Sequence, residues 1–520
     1  MRPRPKTSGG LAGLLISHSW LGLIGSWVLF LVFFTGALTM FKREIDLWEK
    51  APEYLGSQGR AVASLDSVLA ATQVPSTVRD PHIEVLLPGR LSAYYQVFVY
   101  DDEGDYYRAD AFHPVTGKLL PAPELTGLGE FLEEFHKELY LPLGHYLVGL
   151  VTFIFFLGLV TGLVLYWPKL SWASLTSIRW KRPRMRWLDL HNSVGVFGFP
   201  FHLLMAFTGT ILNLALLISL VIVWGRLDGN SQPLMTLLFP PALQVPVAGE
   251  PMVLRGSDGL IHDAEQQFGL EPLRVSVHHF GDRNAMLTVH GHGVGSFART
   301  GQITYQVHDR TILRALHPAK ANALAHGYEV VFRLHYGDFG GLALRLLYFI
   351  LALASCLLIA TGNLLWLEKR LAQRKPPRGL RLVAALSVGS CGGVILAMAV
   401  AMWTTRLIPI DAATRMDWVI GAFATILLAG PFVGWWVRRP RHALICLLLA
   451  AAVLFALLPL LDWLRFGKAL MAAIGDGDGA VALVHMLCMG LAASCAMAAR
   501  WLARDNLQGA NLRYGVASAK

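Results

Sequence analysis

Histidine side chains recur at matched positions in the apolar parts of this chain. His18 and His191 each lie 17 residues before the threonine of a Phe-Thr-Gly triplet, at Thr35 and Thr208. A titratable ring inside lipid is costly in free energy, so such a ring calls for a partner. The repetition at equal offset therefore indicates that the two rings share one task.

A second set of histidines lies just outside the apolar segments. His136 precedes Thr161 by 25 residues, and His335 precedes Thr361 by 26 residues. Pro142 in the first case, and a glycine pair in the second, would let the chain bend and bring each histidine over the helices. We interpret the Thr-Gly pairs as close-packing points, with threonine bonded inside its own helix.

Paired imidazoles at two depths are what two b-type haems require, because histidine is a normal axial ligand of haem iron. Helix bundles bind such cofactors between facing helices. We therefore predict haem b, in two copies. His18 and His191 are predicted to bind one haem, and His335 with either His136 or His202 is predicted to bind the other.

His202 competes with His136 because of its place on the third apolar segment. It follows His191 by 11 residues, which is about 16 Å along a helix and close to the same face. The alternative role is that of a relay between the two haems. His145 occupies the place that Arg345 occupies in the second half of the chain, which makes it a weaker ligand candidate.

Two arginines near the outer haem position, Arg333 and Arg345, could pair with haem propionates. The catalytic residues stay unassigned. The sequence has no glycine-rich dinucleotide motif and no Walker loop. An electron donor must therefore come from elsewhere, either a quinol or a cytosolic reductase.

The composition places the chain in a membrane. Of its 520 residues 54% are hydrophobic and 15% are charged, which is far from the composition of soluble proteins. The formal charge of +10 does not indicate nucleic-acid binding, because the positive residues form short runs beside apolar segments. Eight segments are long enough to span a bilayer: 14–40, 143–167, 189–222, 341–366, 381–404, 416–437, 442–464 and 479–502.

The positive residues also predict the orientation. The basic N-terminus and the basic loops 169–187 and 368–380 fall on one side, which is the cytoplasm by the positive-inside rule. We expect a bacterial inner-membrane protein with both termini inside and two large periplasmic segments.

The predicted fold class is an all-α polytopic membrane protein with two small α+β periplasmic domains. The unit of helix, outer domain and helix occurs twice in parallel orientation, and four further helices follow. The predicted boundaries are 11–41, 142–168, 188–223 and 333–367 for the first four membrane segments, 42–141 and 224–332 for the outer domains, and 381–502 for the four-helix extension.

Four motifs in order, "HSWLGL…FFTGAL", "FHKELYL…LVTGLVLYWPK", "LHNSVGVFGFPFHLL…FTG" and "LHYGDFGG…ATGNLLW", resemble the PepSY-associated transmembrane family over residues 10–370. That family includes FoxB-like ferrisiderophore reductases of the inner membrane. The resemblance implies PepSY-like outer domains, haem b, and electron delivery to a ferric siderophore with release of iron(II). On the family pattern His18, His136, His191 and His335 match.

Two other function classes compete with this interpretation. A non-redox regulator or peptidase inhibitor would use the outer domains for binding and the spans as anchors, which leaves the intramembrane histidines unexplained. A transporter built from repeats would favour acidic residues in mid-span, and the first four spans contain none.

Overall fold

The computed structural model of the protein describes residues 9–506, apart from 51–61, 90–91, 93, 102–103, 121–126, 239–242, 244, 296, 298–299, 321, 372, 374–378, 438–439 and 468–478. The basic N-terminus and part of the predicted loop 368–380 therefore lie outside the described residues.

The described helices, in chain order, are α1 (Gly9–Thr39), α2 (Lys42–Lys50), α3 (Leu65–Ala71), α4 (Leu128–Glu138), α5 (Gly144–Tyr166), α6 (Trp172–Thr176), α7 (Pro183–Phe197), α8 (Phe199–Arg226), α9 (Gln232–Leu238), α10 (Ser257–Phe268), α11 (Ala323–Tyr336), α12 (Gly341–Leu371), α13 (Leu380–Val388), α14 (Val394–Leu407), α15 (Arg415–Trp436), α16 (Pro440–Phe466) and α17 (Gly479–Asn506). The described strands are β1 (His82–Leu86), β2 (Tyr95–Tyr100), β3 (Tyr106–Phe112), β4 (Leu270–His278), β5 (Met286–Gly293), β6 (Thr300–Gln306) and β7 (Ile312–Leu316).

Eight helical segments of the described chain are long and apolar enough to cross a membrane, which confirms the predicted number. They are α1, α5, α8, α12, the α13–α14 segment, α15, α16 and α17. A five-residue π-helical turn, Gly389–Gly393, joins α13 to α14 without a break. The protein is therefore a mostly helical, multi-pass membrane protein, and its described residues include a small antiparallel sheet.

The third span departs from the sequence prediction of one helix over 188–223. The chain forms α7 and α8 instead, with Gly198 between them and Pro200 in the first turn of α8. Proline has no N–H to give to the preceding turn, so the helix is interrupted there. His191 and His202 consequently lie on two helices, and the prediction of one continuous helix is corrected.

The two segments between the first four spans, expected to form a small domain each, contribute to a single sheet. Its strand order is β3-β2-β1-β4-β5-β6-β7, so the first segment joins the second through β1 and β4. These strands are antiparallel, with Ile83 opposite Val277 and Val85 opposite Val275. All four side chains are fully buried on one face. Pairing removes the unpaired edge that β1 would otherwise expose.

The helices α3 and α10 cover that buried face, and each caps the other. Asp66 of α3 accepts hydrogen bonds from the backbone N–H groups of Gly256, at 2.7 Å, and Ser257, at 2.9 Å. Asp258 of α10 accepts one from the N–H of Leu65 at 2.8 Å. A carboxylate at a helix N-terminus accepts hydrogen bonds from N–H groups that have no acceptor within the helix. Its negative charge also interacts favourably with the positive end of the helix dipole. These reciprocal caps connect the first segment to the second.

Tight turns fold α4 and α11 back towards the membrane helices that follow them. Between α4 and α5, Leu139, Tyr140 and Leu143 adopt left-handed backbone conformations with φ of 57°, 57° and 58°. Between α11 and α12 the same region of φ is taken by Gly337 and Gly341, both at 62°. The turn after α4 therefore holds three non-glycine residues in a conformation that costs free energy.

We expect Asp66→Ala to weaken the sheet unit by about 1–2 kcal/mol, because it leaves two N–H groups of α10 without acceptors. Hydrogen exchange of the β1 and β4 amides in the full-length protein measures this. Asp105→Ala, at an exposed turn position, is the control and should leave exchange unchanged. Equal hydrogen exchange in the two variants would show that the reciprocal caps of Asp66 and Asp258 do not hold the two segments together.

Candidate functional site

The matched histidines of the first and third apolar segments, His18 and His191, face each other inside the bundle. The ring centroids of His18, on α1, and His191, on α7, are 6.3 Å apart, and the ring planes cross at 71°. Nδ1 of His18 donates to the carbonyl oxygen of Gly158 at 3.0 Å, and Nδ1 of His191 donates to that of Leu358 at 3.1 Å. A neutral imidazole that donates through Nδ1 keeps the lone pair on Nε2 for another partner. We call this the far-side pair.

The other two matched histidines form a second pair at the end of α1 that leads into the sheet. His136, on α4, and His335, on α11, have ring centroids 6.1 Å apart and ring planes at 34°. Nδ1 of His136 donates to the carbonyl oxygen of Val32 at 2.8 Å, and Nδ1 of His335 donates to the hydroxyl of Thr208 at 2.8 Å. We call this the sheet-side pair.

Burial keeps the sheet-side pair neutral. It lowers the pKa of His136, and it lowers the pKa of His335 to about 3, with the neighbouring His136 adding to the shift. Both rings are therefore uncharged at pH 7, which is the form in which imidazole binds a metal.

Each of the four rings packs against the glycine of a Thr-Gly pair. A methyl group on that glycine would lie 2.6 to 3.4 Å from a ring carbon; the contacts are Gly36 with His136, Gly162 with His18, Gly209 with His335 and Gly362 with His191. The threonines bond back to carbonyl oxygens of their own helices, as predicted. The sequence missed what the glycines contact, which is a histidine ring.

The two pairs lie at opposite ends of the first four spans. On α1, His18 belongs to the far-side pair, and Val32 contacts the sheet-side pair 14 residues later. At 1.5 Å per residue this separates the pairs by about 21 Å along the helix. The arrangement places two equivalent sites at two depths of the same bundle.

His202 lies between the pairs and faces neither. Its ring is fully buried, Nδ1 is 2.9 Å from the hydroxyl oxygen of Ser355, and Nε2 is 3.3 Å from the carbonyl oxygen of Val194. Both nitrogens therefore have partners inside the bundle. Of the two candidates for the partner of His335, His136 is the one that the structure places opposite it.

The two predicted arginines have carboxylate partners. Arg345 holds Glu44 through two hydrogen bonds of 2.9 Å. Arg333 is buried, with Nε 3.2 Å from Asp338. His145 belongs to neither pair, and its partly exposed ring lies 3.9 Å from Glu138.

A charged cluster beside the sheet-side pair was not found by sequence reasoning. Glu133 forms ion pairs with Lys42, at 2.5 Å, and Lys137, at 2.7 Å, and accepts a hydrogen bond from the hydroxyl of Tyr336 at 3.2 Å. Burial opposes ionisation of Glu133, but the two lysines outweigh it and lower its pKa to about 2. The only signal in the sequence is that Lys137 and Tyr336 directly follow the paired histidines.

Glu133 should make stability depend on pH in an acid window. Its folded-state pKa lies below the ordinary 4.5, so its contribution is present above pH 4.5 and is lost as pH falls towards 2. Thermal unfolding in lipid nanodiscs across this range should show a loss that Glu133→Gln reduces. Glu134→Gln, at a more exposed neighbour, is the matched control, and equal pH profiles in the two variants would contradict the assignment.

Comparison with known proteins places the chain among membrane proteins of one family. An uncharacterised protein of Pseudomonas aeruginosa is 29% identical over 374 residues, which cover 69% of this chain and 86% of that protein. The family described as the PepSY-associated TM region matches residues 15–369, which include both histidine pairs and all four Thr-Gly pairs. The chain belongs to the PepSY-associated transmembrane family.

Proposed function

We propose that the protein is a haem b-containing oxidoreductase of the bacterial inner membrane. In this proposal it passes electrons across the membrane from the far-side pair to the sheet-side pair and reduces a ferric siderophore in the periplasm, which releases iron(II). Both termini then lie in the cytoplasm. The observation that carries the proposal is the geometry of the two histidine pairs.

The spacing of each pair fits one metal centre between two imidazoles. Two imidazoles that would bind one metal ion from opposite sides, each through a nitrogen at about 2.0 Å, would have ring centroids about 6 Å apart. The observed separations are 6.3 and 6.1 Å. Two independent pairs with the same spacing support a common ligand class.

The number of donors fits haem. Each pair supplies two nitrogens, whereas a zinc site takes three or four protein ligands. Within the described residues, no group of three or more histidine, cysteine, aspartate or glutamate side chains is placed to hold a metal ion. Haem brings four nitrogens of its own, so a bound haem would need only the two imidazoles of one pair from the chain.

The chain's own residues prepare these histidines for ligation. The carbonyl and threonine oxygens hold Nδ1–H, fix the tautomer and make Nε2 a better donor. The Thr-Gly surfaces fix the ring positions, and apolar helices exclude water. When bound, haem iron supplies one-electron chemistry by changing between ferric and ferrous states.

The contacts also support the proposal of two parallel repeats. Within the first half, His18 packs on Gly162 and His136 packs on Gly36. Within the second half, His191 and His335 repeat these contacts on the equivalent glycines. Each ring is held by its own half and faces a ring of the other half, as a twofold axis along the membrane normal would require.

The substrate class and the electron donor are further parts of the proposal. A ferric siderophore follows from the resemblance to ferrisiderophore reductases, with the sheet, as a PepSY-like unit, beside the sheet-side pair. A quinol or a cytosolic reductase would supply electrons at the far-side pair. Arg333 is the better propionate candidate, because Arg345 is already engaged twice by Glu44.

The pyridine haemochrome assay and reduced-minus-oxidised spectra of the purified protein test the proposal. We expect two haem b groups per chain, one lost in His18→Ala or His191→Ala and the other lost in His136→Ala or His335→Ala. His202→Ala should retain both, and His145→Ala is the surface control. A wild-type protein without a b-type spectrum would sink the redox proposal and leave a non-redox regulator or peptidase inhibitor.

The ring planes predict two distinguishable electron paramagnetic resonance signals in the oxidised protein. The angle between the planes of two imidazoles that would hold a haem changes the d-orbital splitting of its iron, and the ring planes cross at 71° in the far-side pair and 34° in the sheet-side pair. We expect the more anisotropic low-spin signal to disappear in His18→Ala. Its loss in His136→Ala instead would show that the two sites are assigned the wrong way round.

A further inference from the structure

The last four spans lie beyond residues 15–369, the range that matches the family. They nevertheless contact α4, the short helix that carries His136. The contacts come from α14 and α15, and from α17 through α2. These spans therefore contact a helix outside their own bundle.

The first contact is aromatic. Phe423 of α15 is buried, and its ring packs edge-on against Phe131 at 5.1 Å and Phe135 at 5.0 Å, both on α4. Aromatic pairs in this geometry stabilise beyond the area that they bury. Phe135 directly precedes His136, so Phe423 supports α4 within one residue of the ligand candidate.

The second contact fixes the start of α4. No side chain of α4 caps its own N-terminus. Glu49 of α2 does so, because its carboxylate accepts a hydrogen bond from the N–H of Leu128 at 2.7 Å. The other oxygen of Glu49 is held by Arg415 of α15, and both side chains are buried. The cap thus depends on a charge supplied by the last four spans.

The third contact anchors α2 itself. Trp48 donates to Asp462 of α16 at 2.7 Å. The same carboxylate pairs with Arg406 of α14 at 2.8 Å and with His485 of α17 at 2.6 Å. The guanidinium of Arg406 also lies 4.0 Å from the centre of the Trp48 ring. Three of the last four spans therefore converge on one residue of α2.

Among the described residues, the helix contacts of the second half follow a different arrangement. The main helix contacts of α11, which carries His335, are with α8 and α9 of its own half. Within the described residues, the sheet-side pair thus combines one histidine whose helix packs against the extra spans and one whose main helix contacts lie within its own half.

We propose that the last four spans are a brace that positions His136 relative to His335. Phe423 supports the side of α4, and the Arg415–Glu49 pair holds its N-terminus. The consequence for haem ligation rests on the proposed function, whereas the consequence for the position of α4 does not.

Hydrogen–deuterium exchange of the full-length protein tests the brace without any cofactor. Phe423→Ala should make the amides of α4 exchange about tenfold faster or more, because a packed unit is locally loosened, while the amides of α11 stay unchanged. Phe432→Ala, on the same helix but 74% exposed, is the matched control and should change neither. Unchanged α4 exchange, or an equal rise in α11, would overturn the proposal.

Glu49→Gln keeps the test decisive if Phe423→Ala fails to fold. It retains the shape of the side chain and weakens the cap and the pair with Arg415, so exchange should rise mainly in the first turn of α4. Uniform exchange along α4 would count against the brace.

The ligand geometry has its own readout. In the haem-loaded protein, Phe423→Ala should shift the paramagnetic resonance signal and the midpoint potential of the sheet-side site and leave those of the far-side site as in wild type. Unaltered sheet-side values despite faster α4 exchange would overturn the positioning role. If the protein contains no haem, the proposed function fails, and the exchange data still decide whether the brace exists.

Discussion

A histidine ring held among membrane helices has two nitrogen atoms to satisfy and almost no water with which to satisfy them. In the four paired histidines one nitrogen is satisfied by a carbonyl or threonine oxygen of the chain. The other nitrogen, Nε2, keeps its lone pair for another partner. The glycines against which the rings lie hold the rings in this arrangement. The short helices α4 and α11 bring two of the rings in from outside the spans.

The pairs also join the two halves of the chain. Each ring packs on a glycine of its own half. The ring that it faces belongs to the other half, so neither site exists in a half alone. The exchanged aspartate caps and the β1–β4 pairing do the same outside the membrane. The fold therefore links assembly of the halves to assembly of the sites.

The sequence was informative where a pattern repeats at a fixed offset. His18 and His191 could be paired because each precedes a threonine by the same 17 residues, and the eight spans follow from apolar length. It was uninformative where contacts join distant parts of the chain. The choice of His136 over His202 depends on how α4 folds back, and the partner of Arg345 is Glu44, 301 residues away. The interruption at Gly198 required attention to Pro200, which helical periodicity ignores.

The pairing of β1 with β4 constrains the order in which the protein can fold during synthesis. Asp258 caps the helix that begins at Leu65, 193 residues earlier in the chain, and β1 finds its neighbour β4 only after that point. At about 5–20 residues per second, the ribosome needs about 10 s or more to supply the missing half. Two further spans must enter the membrane in that time. Until β4 is made, the edge of β1 that faces it stays unpaired, and an unpaired strand edge is a template for pairing with another chain.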